Sequence, residues 1–309
     1  MVYSVVVPVY KNAESLPHVI QTLEWLQTQL DDKLEAVFVV DGSPDDSAMI
    51  LRQLLPTSSL SSQLICHSRN FGSFAAIRTG FLRSRGHYVA AMAADLQEPV
   101  ELIQQFFVAL ASGDYDVAVG TRAGRKDPYV TKTASRMYWS LYKKWVQPEM
   151  PYGGVDIFAC TRDVAEKFTH MDESHSSLVG LLFWLGYRRI EIPYERQERQ
   201  HGKSAWSTKK KFIYLSDSIF SFTSLPITLI LTVGFLGATA ALVFALVTLV
   251  AWLSGAIVVP GYTTLMFVLL FATGSILFAL GIVGTYVWRA YENTKNRPPS
   301  VVMMQQDFN

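Results

Sequence analysis

Four short stretches gather the residues able to do chemistry: "PVYKN" from Pro8, "VVDGSPDDS" from Val39, "HSRNFGSFAAIRTG" from His67 and "AADLQEP" from Ala93. Each lies at the end of an apolar run and offers a carboxylate, an aromatic ring or a glycine. Pro8 and Tyr10 can pack against a flat ring. Asp41 can accept hydrogen bonds from a base N–H or a ribose hydroxyl, and Gly42 lets backbone come close. Arg69, beside a helix start near Gly72, suits an anionic group, since free N–H groups and the helix dipole both favour negative charge. Asp95 with Gln97 offers hard oxygen ligands for a cation that also touches phosphate oxygens. Singly, such features have blander roles: Asp-Gly-Ser serves many turns, an aspartate at a strand end caps the next helix, and an arginine is often simply solvated or ion-paired. Four strand ends agreeing in order point to a shared site.

The elements that must position these residues are legible as alternation. Strand-like runs "YSVVVPV", "EAVFVV", "QLICH", "HYVAAMA" and "YDVAVG" are separated by segments with helix-start signals at Ser15, Asp46, Gly72 and Pro99. This predicts an α/β fold, a mostly parallel sheet with helices on both faces. Ligands of such open sheets bind at the carboxyl ends of the strands.

The chain has 309 residues, half of them hydrophobic, with a mean hydropathy of +0.20. The apolar excess is local: Pro226 to Trp288 contains no Asp, Glu, Lys, Arg or His. Two runs there exceed the ~20 residues a helix needs to cross a bilayer, and "SGAIVVPG" between them supplies a tight reversal. Lys209, Lys210 and Lys211 precede the tract, and Arg289, Lys295 and Arg297 follow it, which places both flanks in the cytoplasm. The expected organisation is a cytoplasmic catalytic domain over 1–205, an interfacial segment over 206–226, a two-helix transmembrane hairpin over 227–288 (227–253 and 263–288), and a cytoplasmic tail over 289–309. The interfacial segment mixes Trp206, Phe212, Ile213, Ile219 and Phe220 with the three lysines, as a helix drawn to anionic head groups would. The amino terminus lacks the basic n-region of a signal peptide. Two cysteines suit a reducing compartment, and a net charge of +1 argues against generic nucleic-acid binding.

"VVVPVY", "VVDGSPDDS", "SRNFGSFAAIRTGF" and "DLQEP", in this order and followed by two apolar spans, resemble the family 2 inverting glycosyltransferases of GT-A fold. More narrowly they resemble the polyprenyl-phosphate glycosyltransferases, the group that includes dolichol-phosphate mannose synthase and the bactoprenol glucosyltransferases. The resemblance implies transfer of a sugar from a nucleotide sugar, a UDP-hexose by family weight, to polyprenyl (undecaprenyl) phosphate at the inner membrane's cytoplasmic face. It implies inversion at the anomeric carbon, Mg2+ or Mn2+ as cofactor, and a homo-oligomer.

Position by position, the resemblance assigns Pro8, Tyr10 and Asp41 to the nucleotide, and Arg69 with Gly72 to the segment beside the diphosphate. Asp95 stands at the second aspartate of the family's DXD motif, with Gln97 as a companion metal ligand. Asp156, in "GGVDIFACTR", matches an acidic position near the acceptor and the anomeric carbon; an ion pair or cap is its plainer reading. Arg199, Gly202 and Ser204, in "RQERQHGKSAW", match a late segment that closes over phosphates, and Arg122 and Arg125, in "TRAGRKDPY", can also hold phosphate. The sequence departs from the motif at Ala93, where the first DXD carboxylate belongs. One lost carboxylate weakens cation binding, so a leaner metal site, an inactive nucleotide-sugar-binding subunit and an arginine-based site stay open. A processive polysaccharide synthase is disfavoured by two spans and no evident Gln-x-x-Arg-Trp segment.

Overall fold

The computed structural model describes residues 2–31, 33–122, 140, 143, 148–151, 154–171, 177–197, 216–254 and 261–308. The chain divides into two compact units, Met1–Tyr214 with Arg297–Asn309, and Leu215–Asn296.

The first unit alternates as the sequence predicts. Strands β1 (Tyr3–Val9), β2 (Leu34–Val40), β3 (Ser61–His67), β4 (Tyr88–Ala91) and β5 (Val117–Arg122) are interleaved with helices α1 (Leu16–Gln29), α2 (Ser47–Leu54), α3 (Ser73–Arg83) and α4 (Val100–Ala111). The four helices begin directly after Ser15, Asp46, Gly72 and Pro99. Beyond them come β6 (Phe158–Thr161), α5 (Arg162–Thr169), α6 (Leu178–Trp184) and β7 (Arg189–Tyr194).

These strands and β8 (Val302–Phe308) form one sheet in the order β7-β5-β6-β4-β1-β2-β3-β8. Pairs β1–β2, β1–β4, β2–β3 and β5–β7 are parallel. β6 is antiparallel to both β4 and β5, and β8 is antiparallel to β3. The sheet is therefore mixed and mostly parallel. The registers bring the carboxyl ends of β1 to β5 and of β7 to one edge, together with the amino ends of β6 and β8. Residues 302–308, which the sequence reading left in a tail, instead close the sheet beside β3.

Core packing follows the strand alternation. Val5, Val7, Val9, Ala36, Phe38 and Val40 join α1 and α4 side chains in one buried cluster. On the opposite face, Phe81 of α3 meets Phe158 and Phe168 ring to ring at 5.6 and 5.1 Å. Gly80 lets α3 lie close to the sheet, since a Cβ there would stand 2.2 Å from Val6 Cγ1.

The second unit holds α7 (Ser216–Phe222), α8 (Leu225–Leu253) and α9 (Tyr262–Thr294). Among the described residues one stretch, Phe271–Thr294, is long and apolar enough to cross a membrane, or two if α7 and Leu225–Gly237, which meet at 77°, count as one broken span. The stretches expected as spans, 227–253 and 263–288, fall within α8 and α9, and the bend lies ahead of the first of them, between Phe222 and Leu225. Leu231, Phe235, Phe271 and Leu277 are exposed along α8 and α9, an arrangement that water penalises and lipid does not. At the end of α9, Arg289 pairs with Asp217 at 2.7 Å and lies over the Phe220 ring.

Candidate active site

Asp41 follows the end of β2 and is 2 % exposed. Its Oδ1 accepts hydrogen bonds from His67 Nδ1 (2.8 Å) and the Phe71 N–H (2.9 Å), and its Oδ2 accepts one from the Gly72 N–H (2.7 Å). The carboxylate thus shapes the loop between β3 and α3 from inside. Gly42, at φ +55°, packs directly against the Arg69–Asn70 peptide of that loop. Gly72, at φ +101°, starts α3 in a backbone region that favours glycine. Arg69 lies 4.2 Å from the centre of the Phe71 ring, and that ring meets His67 edge-on. Asp41, Arg69 and Gly72 are therefore neighbours, as expected, but Asp41 is spent on the loop rather than left open.

Pro8, in register with Val39, and Tyr10 bring the end of β1 beside the end of β2. The two loops that follow are stitched together. The Lys11 N–H donates to Ser43 Oγ (2.8 Å), Ser43 donates to Asp45 Oδ1 (2.5 Å), and the Ala13 N–H donates to Asp45 Oδ2 (3.1 Å). Burial pushes the Asp45 carboxyl up, but hydrogen bonds from Ser43, Ser47 and the Ala13 amide more than reverse this and hold it below the usual range.

The second half of the site gathers past β4. Leu96 takes a left-handed backbone, φ +53°, between Asp95 and Gln97, a strained position for a side chain of that kind. The turn it makes is tied to the chain just past β7. The Gln197 N–H donates to Gln97 O (2.8 Å) and Arg196 donates to Gln97 Oε1 (2.6 Å). Gln97, expected at the cation, is thus engaged with residues 196–197.

Asp156, immediately before β6, receives Arg122 Nε at 2.5 Å and the Tyr194 hydroxyl at 3.1 Å, both on Oδ2. The Arg122 Nη2 also lies 2.5 Å from Oδ2. Arg122 and Tyr194 face each other in the β5–β7 register. The predicted partners Asp156 and Arg122 are therefore brought together, while Arg125, Arg199, Gly202 and Ser204 lie outside the described residues, as do residues 206–215 of the expected interfacial segment.

Sequence reasoning passed over Glu98 and Tyr194. Glu98 is 5 % exposed, and its Oε2 has no hydrogen-bond partner among the described residues. Burial first, then the charges of Asp95 and Asp156, push its carboxyl up to about 7. Burial and the same Asp156 raise the Tyr194 phenol. The "DLQEP" motif contains Glu98, yet only the fold reveals that it is buried. This concentration of carboxylate oxygens with an unpaired buried acceptor fits a divalent cation, which would neutralise it. Among the described residues no three His, Cys, Asp or Glu converge closely enough to hold an ion alone.

Residues 4–169 match the family model described as Glycosyl transferase family 2. CsbB of Bacillus subtilis (strain 168), named as a glycosyltransferase, is 32 % identical over 96 % of this chain and 89 % of its own. An undecaprenyl-phosphate 4-deoxy-4-formamido-L-arabinose transferase of Sodalis glossinidius is 31 % identical over 96 % of this chain and 91 % of its own. A prophage bactoprenol glucosyl transferase homolog of Escherichia coli (strain K12) is 27 % identical over 98 % of each chain.

Proposed function

The chain belongs to glycosyl transferase family 2, and from that premise we propose that it transfers a sugar from a nucleotide sugar to polyprenyl phosphate. The observation that carries the reading is the convergence of Asp95, Glu98, Asp156 and Arg122 on one sheet edge, in a chain with an apolar helix long enough to cross a bilayer. Relatives over nearly the full length are named for transfer to undecaprenyl phosphate or bactoprenol, which supports the same acceptor class here. The donor is a UDP-hexose in this reading. Its nucleotide lies by Pro8, Tyr10 and the loop that Asp41 holds, and its diphosphate lies between Arg69 and Asp95.

The acceptor phosphate is already an anionic nucleophile, so no general base is required. One of its oxygens forms a bond to the anomeric carbon, and the bond to the donor oxygen breaks with its electron pair leaving on the nucleoside diphosphate; attack from the opposite face inverts the centre. The protein's part is placement and charge. All described contacts of Asp156 fall on Oδ2, which leaves Oδ1 to face positive charge developing on the sugar. Arg122, fixed by Asp156, presents its remaining N–H groups to phosphate, and from the late segment Arg199 offers its guanidinium and Ser204 its hydroxyl. Mg2+ or Mn2+ at Asp95 would neutralise the leaving diphosphate. Glu98 keeps a second carboxylate beside Asp95 although Ala93 has none, which favours a working enzyme over an inactive subunit. A two-span anchor, the interfacial segment at 206–226, a cytoplasmic catalytic domain with both termini on that side, and a homo-oligomer complete the proposal.

The test is incubation of the purified protein with radiolabelled UDP-glucose, other nucleotide sugars and a short-chain polyprenyl phosphate, with and without EDTA. A lipid-linked monosaccharide that disappears with EDTA and with Asp95→Asn is expected. No lipid product from any donor refutes the acceptor, and full activity of Asp95→Asn refutes the cation assignment.

A further inference from the structure

A buried line of hydrogen bonds leads away from Asp41. His67 bridges Asp41 Oδ1 through Nδ1 (2.8 Å) and Thr79 Oγ1 through Nε2 (3.0 Å), and Thr79 Oγ1 lies 2.8 Å from Ser300 Oγ. The side chains of His67 and Asp41 are 0 and 3 % exposed, and Thr79 is buried. Asp41, an acceptor, takes the Nδ1–H. Each hydroxyl then has one proton to give, so the line is directional and each member fixes the next. Beside it the Ser68 N–H donates to Val301 O at 3.0 Å. The β3–β8 register shifts between Cys66 and His67, where Cys66 faces Met304 and His67 faces Val302. Such an irregularity re-aims a side chain, here the imidazole that reaches Asp41.

We infer that Ser300, acting through Thr79 and His67 on Asp41, is a positioning residue for the loop 68–72 and hence for donor nucleotide binding. Asp41 holds the Phe71 and Gly72 amides, and the loop's other described main-chain tie to a distant part of the chain runs from the Ser68 N–H to Val301 O, just before β8. Both supports therefore end in residues 300–301, which follow the last apolar helix in the chain and precede β8. The inference rests on the reading of this loop as the donor's.

The test uses full-length protein in detergent, with Ser300→Ala, Thr79→Val and Ser300→Thr. Amide hydrogen exchange over residues 68–75 reads the loop, UDP titration reads the nucleotide, and steady-state kinetics separate donor KM from kcat. Loss of one buried hydrogen bond should speed exchange at Phe71 and Gly72 and weaken UDP binding by about tenfold. Donor KM should rise with kcat little changed, and Ser300→Thr should restore both. A purely structural Ser300 would lower Tm while leaving UDP affinity and donor KM alone, and that result overturns the proposal. So does unchanged exchange over 68–75 in both deletion variants. Wild-type protein that binds neither UDP nor GDP refutes the donor reading itself, a result distinct from a Ser300→Ala protein that binds UDP like wild type.

Discussion

Gly42→Ala measures how tightly the loop 68–72 is built. A Cβ at this position would stand 2.2 Å from the Arg69 carbonyl carbon, 2.4 Å from Asn70 N and 2.6 Å from Arg69 Cα. All three are backbone atoms, so no rotamer change relieves the contact. Ordinary carbon contacts need about 3.5 Å or more, which forces the loop back by roughly 1 Å. The Asp41 bonds to Phe71 and Gly72, at 2.9 and 2.7 Å, do not survive a retreat of that size. The left-handed φ of +55° adds about 1 kcal/mol for any residue with a side chain, and each lost bond to the charged acceptor about 1.5–3 kcal/mol. A loss of about 4 kcal/mol or more is expected, a large part of a domain's stability. Gly113→Ala is the control, since its φ of +81° carries the same strain with nothing within 4 Å. Urea unfolding of the two variants in detergent, with UDP titration of the folded protein, reads the difference. If Gly42→Ala loses no more stability than Gly113→Ala, the packing of Gly42 under the loop is wrong.

Three further outcomes follow from the second half of the site. Glu98 has a folded pKa of about 7 against 4.5 for the free group, so the folded chain holds an extra proton between those values. The stability this lends is complete below 4.5, declines as pH rises, and is gone above 7. Glu98→Gln removes that dependence, and in EDTA its advantage over wild type should grow from pH 5 to pH 8 to about 3 kcal/mol; a constant difference across the range refutes the burial of a raised carboxyl at this position. Asp156→Asn should lower kcat for lipid product by about 10²- to 10³-fold while UDP affinity holds, and an equal loss in UDP affinity would move Asp156 into the donor pocket. Arg122→Lys keeps the charge but not the fork, and should fall short of wild type by about tenfold or more at saturating donor, whereas wild-type rates would reduce Arg122 to a surface ion pair.

The five strands and four helix starts of the first 120 residues were readable because each is specified locally, by β-rich runs and by the residue before each helix. β6 and β8 were not. "FACT" is only four residues long and takes its strand from insertion between β4 and β5. "VMMQQDF" carries three polar residues in a row and owes its conformation to β3, some 240 residues away in the chain. The site divides the same way. Asp41, Arg69, Asp95 and Asp156 were recognisable by type and motif, but their partners depend on tertiary placement. Nothing local ties Asp41 to His67, Arg122 to Asp156 across 34 residues, or Glu98 to a buried position.

The place of β8 has a consequence for how the molecule is made. Its sheet partner β3 emerges from the ribosome early, whereas β8 is translated after both long apolar helices. Until then β3 presents an unpaired edge, the kind of surface that recruits foreign strands. Completion of the sheet accordingly waits on synthesis of both apolar helices, so that a chain stalled before residues 302–308 carries a sheet that lacks its outer strand.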